Sequence, residues 1–343
     1  MAGKAVKQVV LENNAMQQSR QVFSKDDVRD LIAARAGADK VPKKFKVITD
    51  TSDFFRIEYN DVVLLGGRPF WAKRYEKEGR FGIDNQPKYW VRRAVDLLDS
   101  STSILKLVFH EQFTTTIDNL VITCFRSPQK EARILGLVAD HKNFMHGYSV
   151  LDAAGNNVRI LEFIRGQRFD EVVEGCEGDH RSYFLERLPD FLDQYIELVK
   201  AIKFLHDRGE KHGDIRRDHI LIDRHTGRYR WIDFDFNYRH RENVYGYDLF
   251  GLGNVLVFLV GMGDVLLPEL KKRGQPALDR LADEDLNIVF NHRVANLKKI
   301  YPYIPESLNR ILMHFSKGAN WFYENTVQLL DDLGAYRAST RTP

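Results

Sequence analysis

The sequence predicts an α+β protein whose first part is rich in strands and whose second part is mostly helical. Residues 49–109 contain short runs of alternating apolar and polar residues separated by turn-forming residues, which is typical of antiparallel strands. From residue 191 onward, apolar residues recur every three or four positions, which indicates amphipathic helices. The chain has 343 residues, enough for two lobes or two small domains. We therefore expect a small strand-rich lobe followed by a larger helical lobe.

The composition is that of an ordinary globular protein, because 43% of the residues are apolar and 29% are charged. The net charge of +3 is too small to indicate nucleic-acid binding. No apolar run is long enough to span a membrane, and the N-terminus lacks the apolar core of a signal peptide. Cys124 and Cys176 lack the spacing of metal ligands, so we expect reduced thiols in a cytoplasmic protein.

Residues 1–48 form an N-terminal extension with one predicted helix. Ser24 and Asp27 stand at the two positions of a capping box, and apolar residues follow them at helical spacing. Gly37 interrupts that spacing, so we expect the helix to end there. A helix packed on the main body is the simpler interpretation, and a docking or regulatory segment is the alternative.

Residues 49–164 are expected to form the strand-rich lobe. The alternation of Phe55, Ile57 and Tyr59 predicts a first strand. Further strands are expected at residues 62–65, 70–75, 89–96 and 104–109.

The stretch between residues 212 and 236 carries two carboxylates in strand-like surroundings. Short apolar runs around Leu221 and Trp231 flank a turn, which predicts a β-hairpin. Asp214 precedes this hairpin and Asp233 follows it. Two carboxylates held on a rigid element can serve phosphoryl transfer, one by orienting the attacking hydroxyl and the other by holding a metal ion. An ordinary hairpin with charged ends is the alternative.

The same stretch resembles the catalytic and metal-binding loops of the protein-kinase-like superfamily. Residues 212–214 (His-Gly-Asp) match the start of the family pattern H-R-D-x-x-x-x-N, and residues 233–235 (Asp-Phe-Asp) match its D-F-G. The resemblance implies that Asp214 orients the acceptor hydroxyl and receives its proton, and that Asp233 holds Mg²⁺. Gly213 in place of arginine is similar to the H-G-D of the aminoglycoside phosphotransferases.

Three residues of this stretch need separate comment. His219 replaces the asparagine that binds a second metal ion in the family, and imidazole suits Mn²⁺ better than Mg²⁺. We expect His219 to be a metal ligand beside Asp233, with Mn²⁺ as the alternative to Mg²⁺. Asp235 replaces the glycine of the motif and either adds a carboxylate to the metal site or faces solvent. Arg216 stands where Ser/Thr protein kinases carry a lysine, which implies that it neutralises the transferring phosphoryl group.

The resemblance also implies an ATP-binding side. The sequence Gly79-Arg-Phe-Gly82 resembles the end of the kinase glycine-rich loop, and both glycines are expected beside the ATP phosphates. Lys106 is the expected phosphate-binding lysine, paired with Glu131 on the following helix. Lys73 is the alternative lysine, but it precedes the glycine turn.

Residues 157–164 resemble the fifth strand and the hinge of the family. The resemblance implies that the carbonyl of Glu162 and the N–H of Ile164 face the adenine of ATP. The helical lobe, residues 165–343, follows and carries the catalytic loop and the acceptor side.

The helix expected after residue 246 carries a further match. Asp248 corresponds to a buried carboxylate that, in the family, accepts backbone N–H bonds from the catalytic loop. Only about a dozen residues separate Asp235 from Asp248, and no A-P-E sequence lies between them. We therefore expect the activation segment, which binds peptide substrates in the family, to be nearly absent.

Taken together, the motifs favour an ATP- and metal-dependent phosphotransferase, a divergent Ser/Thr protein kinase acting on a protein hydroxyl. A kinase of small-molecule hydroxyls is one alternative, favoured by the His-Gly-Asp motif and the short segment after Asp235. A nucleotide-binding pseudokinase scaffold is another, favoured by His219 and Asp235. A general nucleotide-binding regulator without transfer activity is the third. The sequence does not indicate the oligomeric state.

Overall fold

The computed structural model describes residues 23–80, 83–117, 120–239 and 243–341. It divides into two compact units. The first consists of the described residues up to Phe109 together with Gly147–Phe163, and the second of His110–His146 together with the residues from Ile164 onward. The sequence pattern had placed residues 110–146 in the strand-rich lobe, whereas in the structure they pack with the helical unit. The fold class is α+β, as expected.

The first unit is built on a seven-stranded sheet in the order β1-β2-β3-β4-β5-β9-β8. Its strands are β1 (Val47–Ile48), β2 (Val62–Leu65), β3 (Arg68–Arg80), β4 (Ile83–Asp96), β5 (Thr102–Lys106), β8 (Gly147–Leu151) and β9 (Asn157–Glu162). All neighbours pair antiparallel except β1 and β2. The strands expected around residues 62–65, 70–75, 89–96 and 104–109 are thereby confirmed, but β3 ends five residues later, β4 begins six residues earlier and β5 ends three residues earlier than expected.

Helix α1 (Lys25–Ala36) packs on this sheet. The Ser24 hydroxyl accepts a hydrogen bond from the Asp27 N–H, and the Asp27 carboxylate accepts one from the Ser24 N–H, so both halves of the capping box are present. Val28 and Ile32 are fully buried in a cluster that includes Trp71 of β3. The packing matches the simpler interpretation of the N-terminal helix.

The prediction of a strand at residues 55–59 is wrong. Phe54–Arg56 instead forms one turn of 3-10 helix, because the Asp53 carboxylate accepts a hydrogen bond from the Phe55 N–H and caps it. Ile57 is buried, whereas Phe55 and Tyr59 are 65% and 64% exposed. The alternation of large apolar residues therefore does not correspond to one buried face of a sheet.

The second unit contains two three-stranded sheets. One consists of β10 (Gly166–Arg168), β11 (Ile220–Asp223) and β12 (Tyr229–Trp231), and β11 and β12 form the hairpin predicted between the two carboxylates. The other has the order β13-β7-β6, with β6 (Gln112–Ile117), β7 (Leu120–Arg126) and β13 (Phe236–Arg239). Strand β13 directly follows the Asp-Phe-Asp motif and pairs antiparallel with β7.

The second unit also contains helices. They are α2 (Pro128–Leu137), α3 (Phe169–Glu174), α4 (His180–Glu186), α5 (Leu188–His206), α6 (Gly246–Val260), α7 (Leu267–Lys272), α8 (Glu306–Met313) and α9 (Thr326–Arg341). Helices α5 and α6 each carry more buried apolar residues than any other helix of the unit, and they pack against each other. Within the described ranges, no helix combines the length and the apolar character needed to cross a membrane.

Candidate active site

Asp248, in the first turn of α6, holds the loop that carries Asp214. The backbone N–H groups of His212 and Gly213 each donate a hydrogen bond of 2.8 Å to the Asp248 carboxylate. The Nε2 atom of His206, at the end of α5, lies 3.1 Å from the same carboxylate, which is fully buried. The prediction that Asp248 is a buried acceptor for backbone N–H groups of this loop is confirmed. Because a buried carboxylate must be satisfied by donors, it fixes the loop conformation.

Gly213 allows this loop to pass very close to β13. Its φ angle is +87°, in the left-handed region that favours glycine. A Cβ atom built on Gly213 would lie 1.8 Å from the carbonyl oxygen of Phe236. The arginine of the family pattern therefore does not fit at this position in the conformation observed, and the His-Gly-Asp sequence has a steric reason.

His212 is a structural residue of the same loop. It is fully buried, and its ring contacts those of Trp231 and Phe234 edge to face. Its Nδ1 atom accepts a hydrogen bond of 3.3 Å from the Asp214 N–H. Burial lowers the pKa of His212 to about 3, so the ring is neutral in the folded protein.

Asp214, His219 and Asp233 come together at one end of the predicted hairpin. The Nδ1 atom of His219 lies 2.9 Å from the backbone carbonyl oxygen of Asp214 and 3.5 Å from its carboxylate. Its Nε2 atom lies 3.8 Å from the Asp233 carboxylate. His219 is 4% exposed, so the imidazole is held between the two aspartates away from bulk water.

The contacts of His219 determine its tautomer. A carbonyl oxygen can only accept, so the Nδ1 atom carries the hydrogen and donates it to Asp214. In a neutral imidazole the Nε2 atom then presents its lone pair, and this atom faces the Asp233 carboxylate. Two acceptors facing each other are favourable only when a proton or a metal ion lies between them. A backbone carbonyl behind the other ring nitrogen is the usual arrangement at metal-binding histidines.

The donors on either side of this gap fit a divalent cation that completes its coordination with water and phosphate oxygens. An imidazole nitrogen and a carboxylate oxygen are both ligands for Mn²⁺, and the carboxylate also suits Mg²⁺. In the described parts of the chain, no group of three or more His, Cys, Asp or Glu side chains is placed to hold a metal by itself.

Asp214 and Asp233 are both in energetically unfavourable states, Asp214 because its carboxyl is buried and Asp233 because of its backbone conformation. Burial raises the pKa of the Asp214 carboxyl, His219 and Arg216 oppose that rise, and Asp233 adds to it. Asp233 has a φ angle of +62°, a left-handed conformation that is uncommon for residues other than glycine. Strain of this kind is frequent at functional sites, where the surrounding structure enforces it.

Asp235 does not face solvent. It is 2% exposed, and both of its carboxylate oxygens lie within 3.0 Å of the Nη1 atom of Arg126, at the end of β7. The Nε atom of Arg126 donates in turn to Glu111 at 2.8 Å. The carboxylate that replaces the motif glycine therefore forms a buried ion pair with Arg126.

Lys130, in the first turn of α2, joins the loop that carries Asp214 to the loop that carries Asp233. Its Nζ atom donates hydrogen bonds to the carbonyl oxygens of His212 (2.7 Å), Phe234 (2.9 Å) and Phe236 (2.5 Å). The side chain is buried, and burial lowers the pKa of Lys130 to about 8. The amine is therefore still mainly protonated at neutral pH.

Arg216 lies beside the site on the chain that follows Asp214. Its guanidinium forms a forked ion pair with Asp218, with distances of 2.9 Å and 2.6 Å. Burial disfavours the charged form of Asp218, but His219 and Arg216 outweigh this effect and lower its pKa to about 2. Asp218 thus holds the Arg216 side chain in one orientation, and the role expected for Arg216 towards the phosphoryl group stays a prediction.

The residues expected on the ATP side belong to both units. Lys106 ends β5 opposite Arg159 of β9, and it is 1% exposed. Glu162 ends β9, whereas Glu131 is fully buried in the first turn of α2, in the second unit. Ile164 begins the later part of the second unit.

Of the two glycines expected beside the ATP phosphates, Gly79 lies in β3, near the end of its hairpin with β4, and Gly82 lies outside the described residues. The nucleotide-binding roles of the residues expected on the ATP side, including Lys106, Glu131, Glu162 and Ile164, stay predictions.

Lys130 and Arg126 were not predicted from the sequence. Lys130 lies four residues before the buried Ile134, and a lysine at that spacing interrupts the apolar face of a helix. That interruption was the available signal. Arg126 gave no comparable signal, because its partner Asp235 is 109 residues further along the chain.

Several curated serine/threonine protein kinases are similar to the chain. "Putative ribosomal protein S6 kinase alpha-2" of Caenorhabditis elegans is 24% identical over 220 residues, which cover 63% of this chain and 23% of the relative. "Serine/threonine-protein kinase chk1" of Schizosaccharomyces pombe is 25% identical over 114 residues, 32% of this chain and 21% of the relative.

"Probable cAMP-dependent protein kinase catalytic subunit" of Encephalitozoon cuniculi is 31% identical over 85 residues, 23% of this chain and 26% of the relative. The chain thus spans about a quarter of the length of each of these relatives. No family model matches the chain.

Proposed function

We propose that this chain, a member of the protein-kinase-like superfamily, transfers the γ-phosphoryl group of ATP to a hydroxyl acceptor. The proposal depends most on one observation. Asp214 and Asp233 approach the two nitrogen atoms of the same buried imidazole, His219, from opposite sides. The curated relatives named above, all called protein kinases, support the same class of reaction.

Asp214 would orient the acceptor hydroxyl and receive its proton. The proposal is supported by its place in a loop whose backbone is fixed by Asp248 and by its raised pKa. A carboxylate whose pKa is raised binds a proton more readily, which favours proton acceptance as the hydroxyl attacks. Arg216, oriented by Asp218, would stabilise the negative charge on the transferring group.

Asp233 and His219 would hold a divalent cation, Mg²⁺ or Mn²⁺. When bound, such a cation neutralises charge on the phosphate oxygens. Asp233 offers a carboxylate and the His219 Nε2 atom offers a lone pair, while the carbonyl of Asp214 keeps the imidazole in the tautomer that makes this possible.

On the nucleotide side, Lys106 and Glu131 would form the ion pair that positions the ATP phosphates. Gly79 and Gly82 would allow backbone N–H groups to approach the phosphates. The carbonyl of Glu162 and the N–H of Ile164 would bind the adenine edge.

The acceptor is most simply a protein hydroxyl, since the similar curated proteins are named serine/threonine protein kinases. One observation favours a small-molecule acceptor instead. The chain after Asp235 pairs at once with β7 as strand β13, and helix α6 begins at Gly246. This leaves few residues to form a platform for an extended peptide.

The proposal is tested by measuring ATP turnover and thermal unfolding of the wild-type protein, first with Mg²⁺ and then with Mn²⁺. A nucleotide at a hundredfold excess over its Kd should stabilise the protein by about 2.7 kcal/mol. We expect Asp233→Ala to abolish the metal-dependent part of this stabilisation. Asp214→Ala should remove turnover while binding persists.

Two outcomes would argue against transfer. Wild-type protein that binds ATP with either metal but never turns it over, with protein and small-molecule acceptors alike, would favour a pseudokinase scaffold. Protein that binds no nucleotide at all would show that the proposed site is not functional. Protein and small-molecule acceptors are compared directly by following radiolabelled phosphate into casein, a generic protein substrate, and into an aminoglycoside.

A further inference from the structure

We infer that Lys130 is a positioning residue whose ammonium group fixes the loop of Asp214 and the loop of Asp233 in one mutual arrangement. The catalytic consequence rests on the proposed function, whereas the mechanical consequence does not. Lys130 belongs to neither of the two motifs and precedes by one residue the glutamate that the family pattern uses on this helix.

The three hydrogen bonds of Lys130 reach both loops. The carbonyl oxygen of His212, at 2.7 Å, lies two residues before Asp214 in the chain. The carbonyl oxygen of Phe234, at 2.9 Å, directly follows Asp233. A protonated lysine has three donors and no acceptor, so its third donor, to Phe236, completes its capacity. Both loops are therefore attached to one atom of α2.

The close approach of these groups depends on Gly213. A Cβ atom at this position would lie 3.1 Å from the Lys130 Nζ atom and 1.8 Å from the Phe236 carbonyl oxygen. The space into which a side chain at position 213 would project is occupied by this carbonyl, with the lysine ammonium beside it. The positive charge that the family motif carries at position 213 is thus supplied here from helix α2.

A second cation, Arg126 at the end of β7, holds the same segment. Arg126 pairs with the buried Asp235 carboxylate, and the Ser127 N–H donates to the Asp235 carbonyl at 2.8 Å. The backbone from Phe234 to Phe236 is thus held by Lys130 through its carbonyls and by Arg126 through a side chain. The metal loop is fixed by residues of its own unit.

A purely stabilising role does not explain why a lysine stands here. Burying an ammonium group is costly even when it is hydrogen-bonded, and apolar replacements of buried charges are often neutral or stabilising overall. Unlike an apolar side chain, Lys130 provides a common hydrogen-bond donor for two separate loops. Its loss should therefore change the geometry of Asp214 and Asp233 in addition to the stability.

The test compares Lys130→Met, Lys130→Arg and, as a matched control, Arg133→Met in full-length protein. Arg133 lies on the same helix, but it forms an exposed ion pair with Glu210 instead of contacting the two loops. The measurements are kcat and KM for ATP at a temperature at which every variant is folded, and hydrogen exchange of peptides covering residues 212–214 and 233–236.

We expect Lys130→Met to lower kcat at least tenfold, with a much smaller change in KM for ATP, and to speed exchange in both loops. Exchange in helix α5 should not change. Lys130→Arg keeps the charge but has donors in a planar fork, which does not match three converging carbonyls, so its kcat should also fall. Arg133→Met should behave like the wild type in both measurements.

The inference is overturned if either lysine variant exchanges like the wild type in both loops, or if its kcat per folded molecule is unchanged. Lys130→Arg decides the matter alone should Lys130→Met not fold. If the wild type transfers no phosphoryl group, the proposed function fails but exchange still decides the inference. Faster exchange in both loops then supports it, and wild-type exchange rejects it.

Discussion

The guanidinium of Arg126 and the carboxylate of Asp235 form an ion pair of 2.9 Å with both side chains almost fully buried. Asp235 occupies the place of the glycine in the Asp-Phe-Gly motif. The substitution therefore changes what the metal loop is attached to, because a glycine would offer Arg126 no partner. Glu111 is the second carboxylate bound to this arginine.

Restoring the motif glycine by Asp235→Gly should destabilise the protein. It removes the buried carboxylate that pairs with the buried Arg126 guanidinium, and breaking a buried ion pair costs about 3 kcal/mol or more. The free energy of unfolding in urea measures this loss. The double variant Arg126→Met/Asp235→Gly should recover part of it, because the buried guanidinium that lost Asp235 is then removed as well.

Lys200→Ala is the control for Asp235→Gly. It removes an exposed ion pair with Glu197 and should change the free energy of unfolding by less than about 0.5 kcal/mol. A double variant that is less stable than Asp235→Gly alone would contradict the view that the ion pair, and not each side chain separately, carries the effect.

Gly213→Ala should be among the most damaging single substitutions in the catalytic loop. The new methyl group would be strained at a φ angle of +87° and would collide with the carbonyl of Phe236. Gly227→Ala separates these two effects, because Gly227 has a φ angle of +67° and no atom within 4 Å of an added Cβ. We expect Gly227→Ala to cost about 1 kcal/mol, the strain alone.

The collision in Gly213→Ala should lower the free energy of unfolding by at least about 1 kcal/mol more than the strain alone. Unfolding both variants in urea measures the difference. Equal losses for Gly213→Ala and Gly227→Ala would mean that β13 moves away without cost. The steric reason given for the His-Gly-Asp sequence would then be wrong.

His212 should make the protein lose stability in acid. Its pKa is lowered to about 3 by burial, against its usual value near 6.5, with Asp248 opposing and Lys130 and His219 adding to this effect. The unfolded chain therefore binds a proton that the native protein does not, so stability is present above pH 6.5 and is lost as the pH falls towards 3. The loss is about 1.4 kcal/mol per pH unit for this one group.

Between pH 3 and pH 6.5, His212→Leu should reduce the slope of the free energy of unfolding against pH by about 1.4 kcal/mol per pH unit, the value for one proton. This holds whatever the substitution does to stability at pH 7. Replacing the exposed His225 by Gln is the matched control and should leave the slope unchanged. A wild-type slope in His212→Leu would show that the buried ring is not the group that responds to acid.

The parts of the fold and site that could be predicted from sequence are those with local signals. The capping box of Ser24 and Asp27 is contained in four residues. The match around Asp248 predicted a buried carboxylate that accepts backbone N–H bonds from the loop of Asp214. Asp214 and Asp233 flank a short hairpin, so their proximity follows from local pairing.

The interactions that hold the metal loop could not be predicted, because they join distant parts of the chain. Lys130 contacts the backbone of Phe234 and Phe236, and backbone carbonyls leave no trace in residue types. The pairing of β7 with β13 is equally distant in sequence. At Phe55 the local pattern gave a wrong prediction of a strand, because the Asp53 carboxylate caps a 3-10 turn within the alternating run.

His219→Asn, which restores the family amide, should change the preference of the site between metals. In the wild type, the lone pair of His219 Nε2 faces Asp233 and suits Mn²⁺ better than Mg²⁺. An asparagine presents a carbonyl oxygen, a ligand type that Mg²⁺ prefers, so the ratio of Mg²⁺ affinity to Mn²⁺ affinity should rise. Titrating each metal in the presence of ATP and following the unfolding temperature gives both affinities.

Asp233→Ala is the control for this change and should weaken both metals, because its carboxylate serves either ion. Asp218→Asn, which alters the partner of Arg216 but supplies no ligand to the gap between His219 and Asp233, should keep the wild-type ratio. If His219→Asn also keeps that ratio, the imidazole does not bind the metal.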